Sequence, residues 1–139
     1  MMFKNKEFEI IYNLLKSKKF AEANQLLIDS RKFGVLHPDY LFLMSMFLME
    51  NERIYLSIDA LLLSLKVDNS PAVMKKNNFE NSSQKLAKER YLILISMFER
   101  MKIHTLKDML KNCLKKNDPK EFLEHLSKVM PGIRLKNKL

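Results

Sequence analysis

The sequence predicts an all-α protein built from antiparallel helical hairpins, and three observations carry that prediction. Only two of the 139 residues are Gly and four are Pro, which removes most turn chemistry and leaves a chain rich in the helix formers Leu, Met, Lys and Glu. Apolar residues recur at i, i+3 and i+4 spacing through most of the chain, the mark of a helix with one face buried. One octapeptide also occurs twice. Tyr40-Leu-Phe-Leu-Met-Ser-Met-Phe47 returns as Tyr91-Leu-Ile-Leu-Ile-Ser-Met-Phe98 with six of the eight positions identical. The length predicts one domain over residues 1–139, large enough to bury a core without cross-links.

In chain order, Phe8, Ile10, Ile11, Leu14 and Leu15 form a first helical stripe, with Tyr12 beside it. Lys16-Ser-Lys-Lys19 interrupts it, and Phe20, Ala23, Leu26, Leu27 and Ser30 form a second stripe. Phe33-Gly34 follows, and Gly is expected there in the left-handed conformation that closes a helix. Residues 4–32 thus read as a hairpin. His37-Pro38-Asp39 opens the next unit, because Pro is tolerated where the first helical N–H has no partner. The helix over 39–50 is apolar almost all round, so it must be covered on more than one side. After Asn51-Glu-Arg53 the returning helix runs to Val67, with Ile54, Ile58, Leu61, Leu62 and Leu65 expected on its buried side. Asp68-Asn-Ser-Pro71 closes this second hairpin, 39–67.

Residues 72–81 read as an irregular insertion or a short extra helix. Asn81, three before Gln84, is a plausible capping arrangement for the helix over 82–101 that holds the second octapeptide. Ile103 to Lys116 is its partner, with Ile103, Leu106, Leu110 and Leu114 on one side, completing a third hairpin over 82–116. Asp118-Pro119-Lys120-Glu121 is a helix start in which Asp caps, Pro takes the first position and Glu121 answers back. The helix it opens, 119–130, carries Phe122, Leu123, Leu126, Val129 and Met130 and is expected to cap the last hairpin. Residues 131–139 are a basic tail.

The net charge of +9 is unevenly placed. Met1 to Pro71 carries nine basic and nine acidic residues, and Ala72 to Leu139 carries sixteen and seven. A basic half can meet nucleic acid, an anionic membrane or an acidic protein. Twenty of the 25 basic residues are Lys, spread out among many Asn and Ile, which favours a solvated surface and disfavours nucleic acid. The single cysteine, Cys113, excludes an internal disulfide framework and fits a reducing compartment. The start, Met1-Met-Phe-Lys-Asn-Lys, has no apolar stretch of signal-peptide type. The most apolar run, Tyr40 to Met49, is half the roughly 20 residues of a membrane span. The expectation is a soluble, cytoplasmic chain with no membrane span.

No catalytic constellation emerges, and neither a metal nor any other cofactor is expected. His37, His104 and His125 are scattered, without a His/Cys/carboxylate spacing that assembles a metal. His104 with Asp108 and Glu121 with His125 stand four apart, a spacing typical of helix-stabilising contacts. With Gly34 and Gly132 as the only glycines there is no phosphate-binding loop. Cys113 at a small position reads as a buried small hydrophobe.

Pro38 through Pro71 is 34 residues, and two-helix repeats of that period characterise one solenoid family. Residues 38–71 resemble a tetratricopeptide repeat, and 4–37 resemble a weaker copy. That family keeps small residues where its two helices approach most closely. Ser45, Ser57 and Ser64 stand there in the second unit, and Ile11, Ala23 and Ser30 in the first. Ser96 and Cys113 match in the third, where Leu106 is too large for its place, and a 17-residue insertion precedes it. The resemblance implies hairpins stacked as a short right-handed solenoid with a C-terminal capping helix, and protein binding by its concave groove. Carried over, it places Phe8, Tyr12, Phe42, Met46, Met49, Ile93 and Met97 on or near that groove.

Family members that clamp acidic peptides use Lys, Asn and Arg where Phe8 and Tyr12 stand, so that specificity is not expected here. Aromatic and Met side chains suit an apolar segment, although a Met and Phe stripe at helical spacing serves a core equally well. The expected function is that of an adaptor or small chaperone holding an apolar helical or extended segment. The type III secretion chaperones are similar in size and repeat type. Self-association, as a homodimer, through the all-round apolar helices is the alternative, and nucleic-acid binding by the basic half a third.

Overall fold

The computed structural model describes residues 1–129. Met130 and the basic tail over 131–139 lie outside the described residues. Among the described residues every regular element is helical. These are α1 (Lys6–Lys16), α2 (Phe20–Asp29), a 3-10 turn (Ser30–Phe33), α3 (Pro38–Glu50), α4 (Ile54–Asp68), α5 (Pro71–Lys76), α6 (Gln84–Arg100), α7 (His104–Lys116) and α8 (Lys120–Val129). The chain divides into two compact units, Met1–Leu86 and Ala87–Leu139.

In the first unit, Asn5 starts α1 by accepting from the amides of Glu7 at 2.8 Å and Phe8 at 3.2 Å, satisfying N–H groups that have no helical partner. Phe8, Ile11 and Leu15 form the buried stripe of α1, and Ala23 and Leu27 that of α2. Ile10, expected beside them, is 52% exposed. Gly34 ends the 3-10 turn at φ 109° and ψ 123°, a glycine conformation different from the left-handed cap expected. A Cβ there would lie 2.7 Å from Cζ of Phe79, so glycine is also needed for close approach.

His37 caps α3, its Nδ1 accepting from the amide of Asp39 at 3.1 Å, with Pro38 in the first helical turn. From Pro38 to Leu43 every residue of α3 is buried, as its all-round apolar composition requires. The partner that covers it most extensively is α4, and α1 and α2 also pack on it.

The α3–α4 contact is close because serines line it. Ser57 Oγ donates to the carbonyl of Ser45 at 2.7 Å, and Ser64 Oγ donates to the carbonyl of Pro38 at 2.6 Å. The pairing of residue 45 with 57 and 38 with 64 makes the hairpin antiparallel. All three serines are buried, and each bond satisfies a hydroxyl that would otherwise be costly inside. Ile58, Leu61, Leu62 and Leu65 are buried as expected, whereas Ile54 is 48% exposed. It sits in the first turn of α4, beyond the Ser45–Ser57 contact, where α3 is ending.

The insertion contains a helix, α5. Asn81, expected to cap α6, instead donates from Nδ2 to the carbonyl and Oδ1 of Asp68. Ser83 performs the capping, accepting from the amide of Leu86 at 3.1 Å. The difference is one of length: α6 begins at Gln84, and only Ser83 immediately precedes it.

Three links repeat one backbone form. The middle residues of Ser17–Lys19, Asn51–Arg53 and Met101–Ile103 are left-handed, with φ 61° at Lys18, 60° at Glu52 and 60° at Lys102. In each the next amide returns to the carbonyl five residues earlier: Lys19 to Leu14, Arg53 to Leu48 and Ile103 to Phe98. This is the Schellman closure, built here without glycine.

The second unit contains the rest of α6, then α7 and α8. Tyr91, Leu94, Ile95 and Phe98 form a buried stripe on α6, Arg90 and Met97 are buried as well, and Ser96 is exposed. The expected role of Ser96 in closing a hairpin is thereby corrected: position 96 lies opposite the 91/94/95/98 stripe. Leu106, expected to be too large for its place, is buried with Leu110 and Cys113 on α7. Asn117 takes the left-handed form after α7, and the amide of Asp118 returns to the carbonyl of Cys113. Asp118 then caps the amide of Lys120 at 3.0 Å, while Glu121 lies 4.0 Å from Lys116 instead of answering back. α8 packs on α7 and buries Phe122, whose ring lies 6.4 Å from that of Phe98.

Candidate functional site

The residues expected to line a groove fall into three environments. Phe8 and Phe42 are 0% and 1% exposed and belong to the core. The reason lies in a segment to which the sequence reading assigned no packing role. Met2 and Phe3 are buried, and the Phe3 ring lies 6.4 Å from Phe8, 5.3 Å from Tyr12 and 6.0 Å from Phe42. Two hydrogen bonds hold the segment down. The Phe3 amide donates to Glu9 Oε1 at 3.1 Å, and Ser83 Oγ donates to the Met2 carbonyl at 2.6 Å. The chain thus covers these aromatic side chains with its own first residues. Tyr12 is half-buried between Phe3 and Lys16, whose Nζ stands 5.1 Å from the Tyr12 ring centre. Met97, in the second unit, is 8% exposed and Ile93 half-buried. Met46 and Met49, in the last turns of α3, are half-buried.

An accessible run of apolar residues follows those methionines in the chain. Ile54, Tyr55 and Leu56 open α4 with exposures of 48%, 75% and 49%. Three consecutive helical residues point in different directions, so the first turn of α4 is apolar around much of its girth. It lies at the same end of the α3–α4 hairpin as Met46 and Met49, across the three-residue link. Periodicity missed this surface because it assigned Ile54 to the core and passed over Tyr55 and Leu56.

A second feature lies at the other end of α3. A cleft of about 380 Å³ is lined by Lys4, Asn5, Phe33, His37, Asp39 and Asn77 to Asn81. The Phe79 ring lies tilted 4.9 Å from His37, which in turn lies 5.2 Å from Phe8. Burial lowers the His37 pKa below its ordinary value, against Asp39, Asp68 and Glu80, which raise it. The ring is held neutral, as its Nδ1 must be to accept from the Asp39 amide. Asp39 is buried and accepts from Ser82 Oγ at 2.6 Å, and Asp68 accepts from the Ser82 amide at 2.9 Å. Lys4 reaches Glu80 at 3.9 Å, both well exposed.

Comparison with family models, curated proteins and solved structures finds no match to this chain. Its function must be read from these two surfaces. Among the described residues no cluster of three or more His, Cys, Asp or Glu is placed to hold a metal ion. No helix among them is long and apolar enough to cross a membrane. Burial pushes the Cys113 thiol up from its ordinary value, which lowers its thiolate fraction and hence its nucleophilicity.

Proposed function

We propose that this chain is a non-enzymatic protein-interaction module, an adaptor or small chaperone that binds an apolar segment. The observation that carries the reading is the exposed first turn of α4: Ile54, Tyr55 and Leu56 beside the half-buried Met46 and Met49. An aromatic side chain offers roughly 150–250 Å² for burial, and Tyr55 leaves 75% of its surface in water. Covering it removes on the order of 150 Å² from solvent, worth about 3–4 kcal/mol before the costs of association. The adjacent methionines are unbranched and adapt to varied partners.

The same proposal takes the hairpins as tetratricopeptide-type units in a short right-handed solenoid. Support comes from the serine-lined α3–α4 contact and from the recurrence of the left-handed link position 34 residues apart, at Lys18 and Glu52. The exposed Ser96 argues that the third hairpin has diverged from that pattern. In this reading the contact surface is the linked end of the second hairpin, because Phe8 and Phe42 are already covered.

The test selects displayed apolar peptides against the whole chain and compares their binding with that to Tyr55→Glu and Leu56→Glu variants of unchanged helicity. At least a tenfold loss is expected for both. Binders indifferent to both substitutions would overturn the proposal. Sedimentation of the unmodified chain separates the case in which a second copy is the partner: mass would then rise with concentration and fall back in Tyr55→Glu.

A further inference from the structure

We propose that Phe3 is the resident occupant of a binding pocket walled by Phe8, Tyr12 and Phe42, whose external ligand is an extended partner segment carrying a phenyl ring. The ring and the stretch of chain that bears it are held very differently. The Phe3 ring is buried 5.3 Å from Tyr12, 6.0 Å from Phe42 and 6.4 Å from Phe8. Residues 1–4 belong to no helix, and among the described residues no backbone-to-backbone hydrogen bond reaches them. Side chains hold them instead: Glu9 Oε1 accepts from the Phe3 amide, and Ser83 Oγ donates to the Met2 carbonyl. Met1 and Lys4, on either side, are exposed. A ring carried by a helix leaves the core only when the helix opens. This one rides on a short tether and can leave alone, because local opening is easiest where few backbone bonds must break.

The pocket keeps its walls when the tether swings out. Asn5 caps α1 through the amides of Glu7 and Phe8, so the helix start is fixed just beyond Lys4, which serves as the joint. Phe8 retains Phe33, His37 and Tyr40 against it, and Phe42 stands in the enclosed stretch of α3. An apolar site of this kind is largely formed before its ligand arrives. Its resident also states the chemistry of a replacement. The pocket takes a phenyl ring edge-on to two others, at Phe8 and Phe42, the favoured geometry for aromatic pairs. Beside the ring it buries an unbranched apolar side chain, that of Met2. Glu9 awaits a backbone amide and Ser83 a backbone carbonyl, which an extended segment presents together. A tethered occupant competes at an effective concentration on the order of millimolar. It therefore excludes weak segments and yields to a partner that gains further contacts outside the pocket. None of this rests on the exposed turn of α4.

The experiment has two parts, both on the isotopically labelled whole chain. Native-state hydrogen exchange at low urea reads the tether. The Phe3 amide should exchange at a rate independent of urea and at least a hundredfold faster than the amides of Ile11 and Leu15. Exchange of Phe3 at the slow, urea-dependent rate of those two would make it ordinary core and overturn the proposal. The second part empties the pocket with Phe3→Ala and titrates with the acetylated tripeptide amide Met-Phe-Lys, the chain's own residues 2–4. Saturable shifts are expected at the amides of Phe8, Tyr12 and Phe42, with an affinity at least tenfold above that of the unmodified chain. The tripeptide Met-Ala-Lys should give none, and adding Tyr55→Glu should leave the binding unmoved. Loss of the dispersed spectrum in Phe3→Ala would show that the ring is needed for the fold and would overturn the proposal. So would an equal response to Met-Ala-Lys, or no saturable shift. Binding abolished by Tyr55→Glu would place the tripeptide on the α4 turn, against this pocket and in favour of that surface.

Discussion

Replacing Gly34 with alanine tests the packing logic of the first unit at one atom. Its φ of 109° lies where L side chains rarely sit, and forcing one there costs about 1–3 kcal/mol. The new methyl would also stand 2.7 Å from Cζ and 2.8 Å from Cε1 of Phe79. Ordinary contact needs roughly 3.5–4.0 Å, so the ring must move by about 1 Å, and such overpacking costs a further ~1–3 kcal/mol. Together these amount to about 2–6 kcal/mol, a large part of the roughly 5–15 kcal/mol available to a small protein.

The two terms can be separated. In a Phe79→Leu background the collision is relieved while the backbone strain remains, so Gly34→Ala should cost about 1–3 kcal/mol less there than in the native chain. Urea denaturation of the four variants, followed by circular dichroism, gives the cycle. A Gly34→Ala chain within 0.5 kcal/mol of the parent would refute the reasoning, as would a penalty unchanged by Phe79→Leu.

Three other outcomes are expected. Glu52→Gly, at a left-handed position, should stabilise by about 0.5–1 kcal/mol, because relief of ~1–2 kcal/mol of strain exceeds the entropy that glycine adds to the unfolded chain; the urea midpoint reads it. His37 is held neutral, with its folded pKa below the ordinary 6.5, so the unfolded chain binds more protons between the two values. Its contribution is present above pH 6.5 and is lost as pH falls through the lowered folded value; His37→Asn, which keeps a capping acceptor, should flatten the stability profile between pH 7 and 5. Cys113, 1% exposed with its thiol raised by burial, should react with a thiol reagent in the native state at least a hundredfold more slowly than in urea, as measured by absorbance of the released chromophore.

Helix locations were legible because they depend on local matters: periodic apolar residues, Pro38 at a helix start, Lys16 to Lys19 as a break. The serines at 45, 57 and 64 were legible too, since a close helical contact leaves room for little else. Which face of a helix is covered was less legible, and the twin octapeptides show why. Leu41 is 8% exposed and its counterpart Leu92 is 43% exposed; Ser45 is buried and Ser96 is not; Phe47 is half-buried and Phe98 is fully buried. Identical residues carry identical helix propensity, but burial is decided by the neighbours: α3 is enclosed from Pro38 to Leu43, whereas α6 leaves Leu92 and Ser96 in solvent. The candidate site was hidden for a related reason. Phe8 and Phe42 have the spacing of a groove, and the packing of Phe3 on both, with Phe33, His37 and Tyr40 on Phe8, makes core of them.

The bond from Ser83 to Met2 joins residues 81 positions apart, and it has a consequence for the order of assembly. A chain emerging from the ribosome presents Met2 long before Ser83. Helices α1 to α4 can form and pair as they appear, since their links are three to a few residues long and their contacts local. Phe3 has its Glu9 bond and its aromatic neighbours as soon as α3 has been made, but the Met2 carbonyl gains its hydroxyl partner only with Ser83. Throughout that interval the cover over Phe8, Tyr12 and Phe42 is held by Phe3 without the Met2 anchor, and a segment fastened by fewer bonds opens more readily.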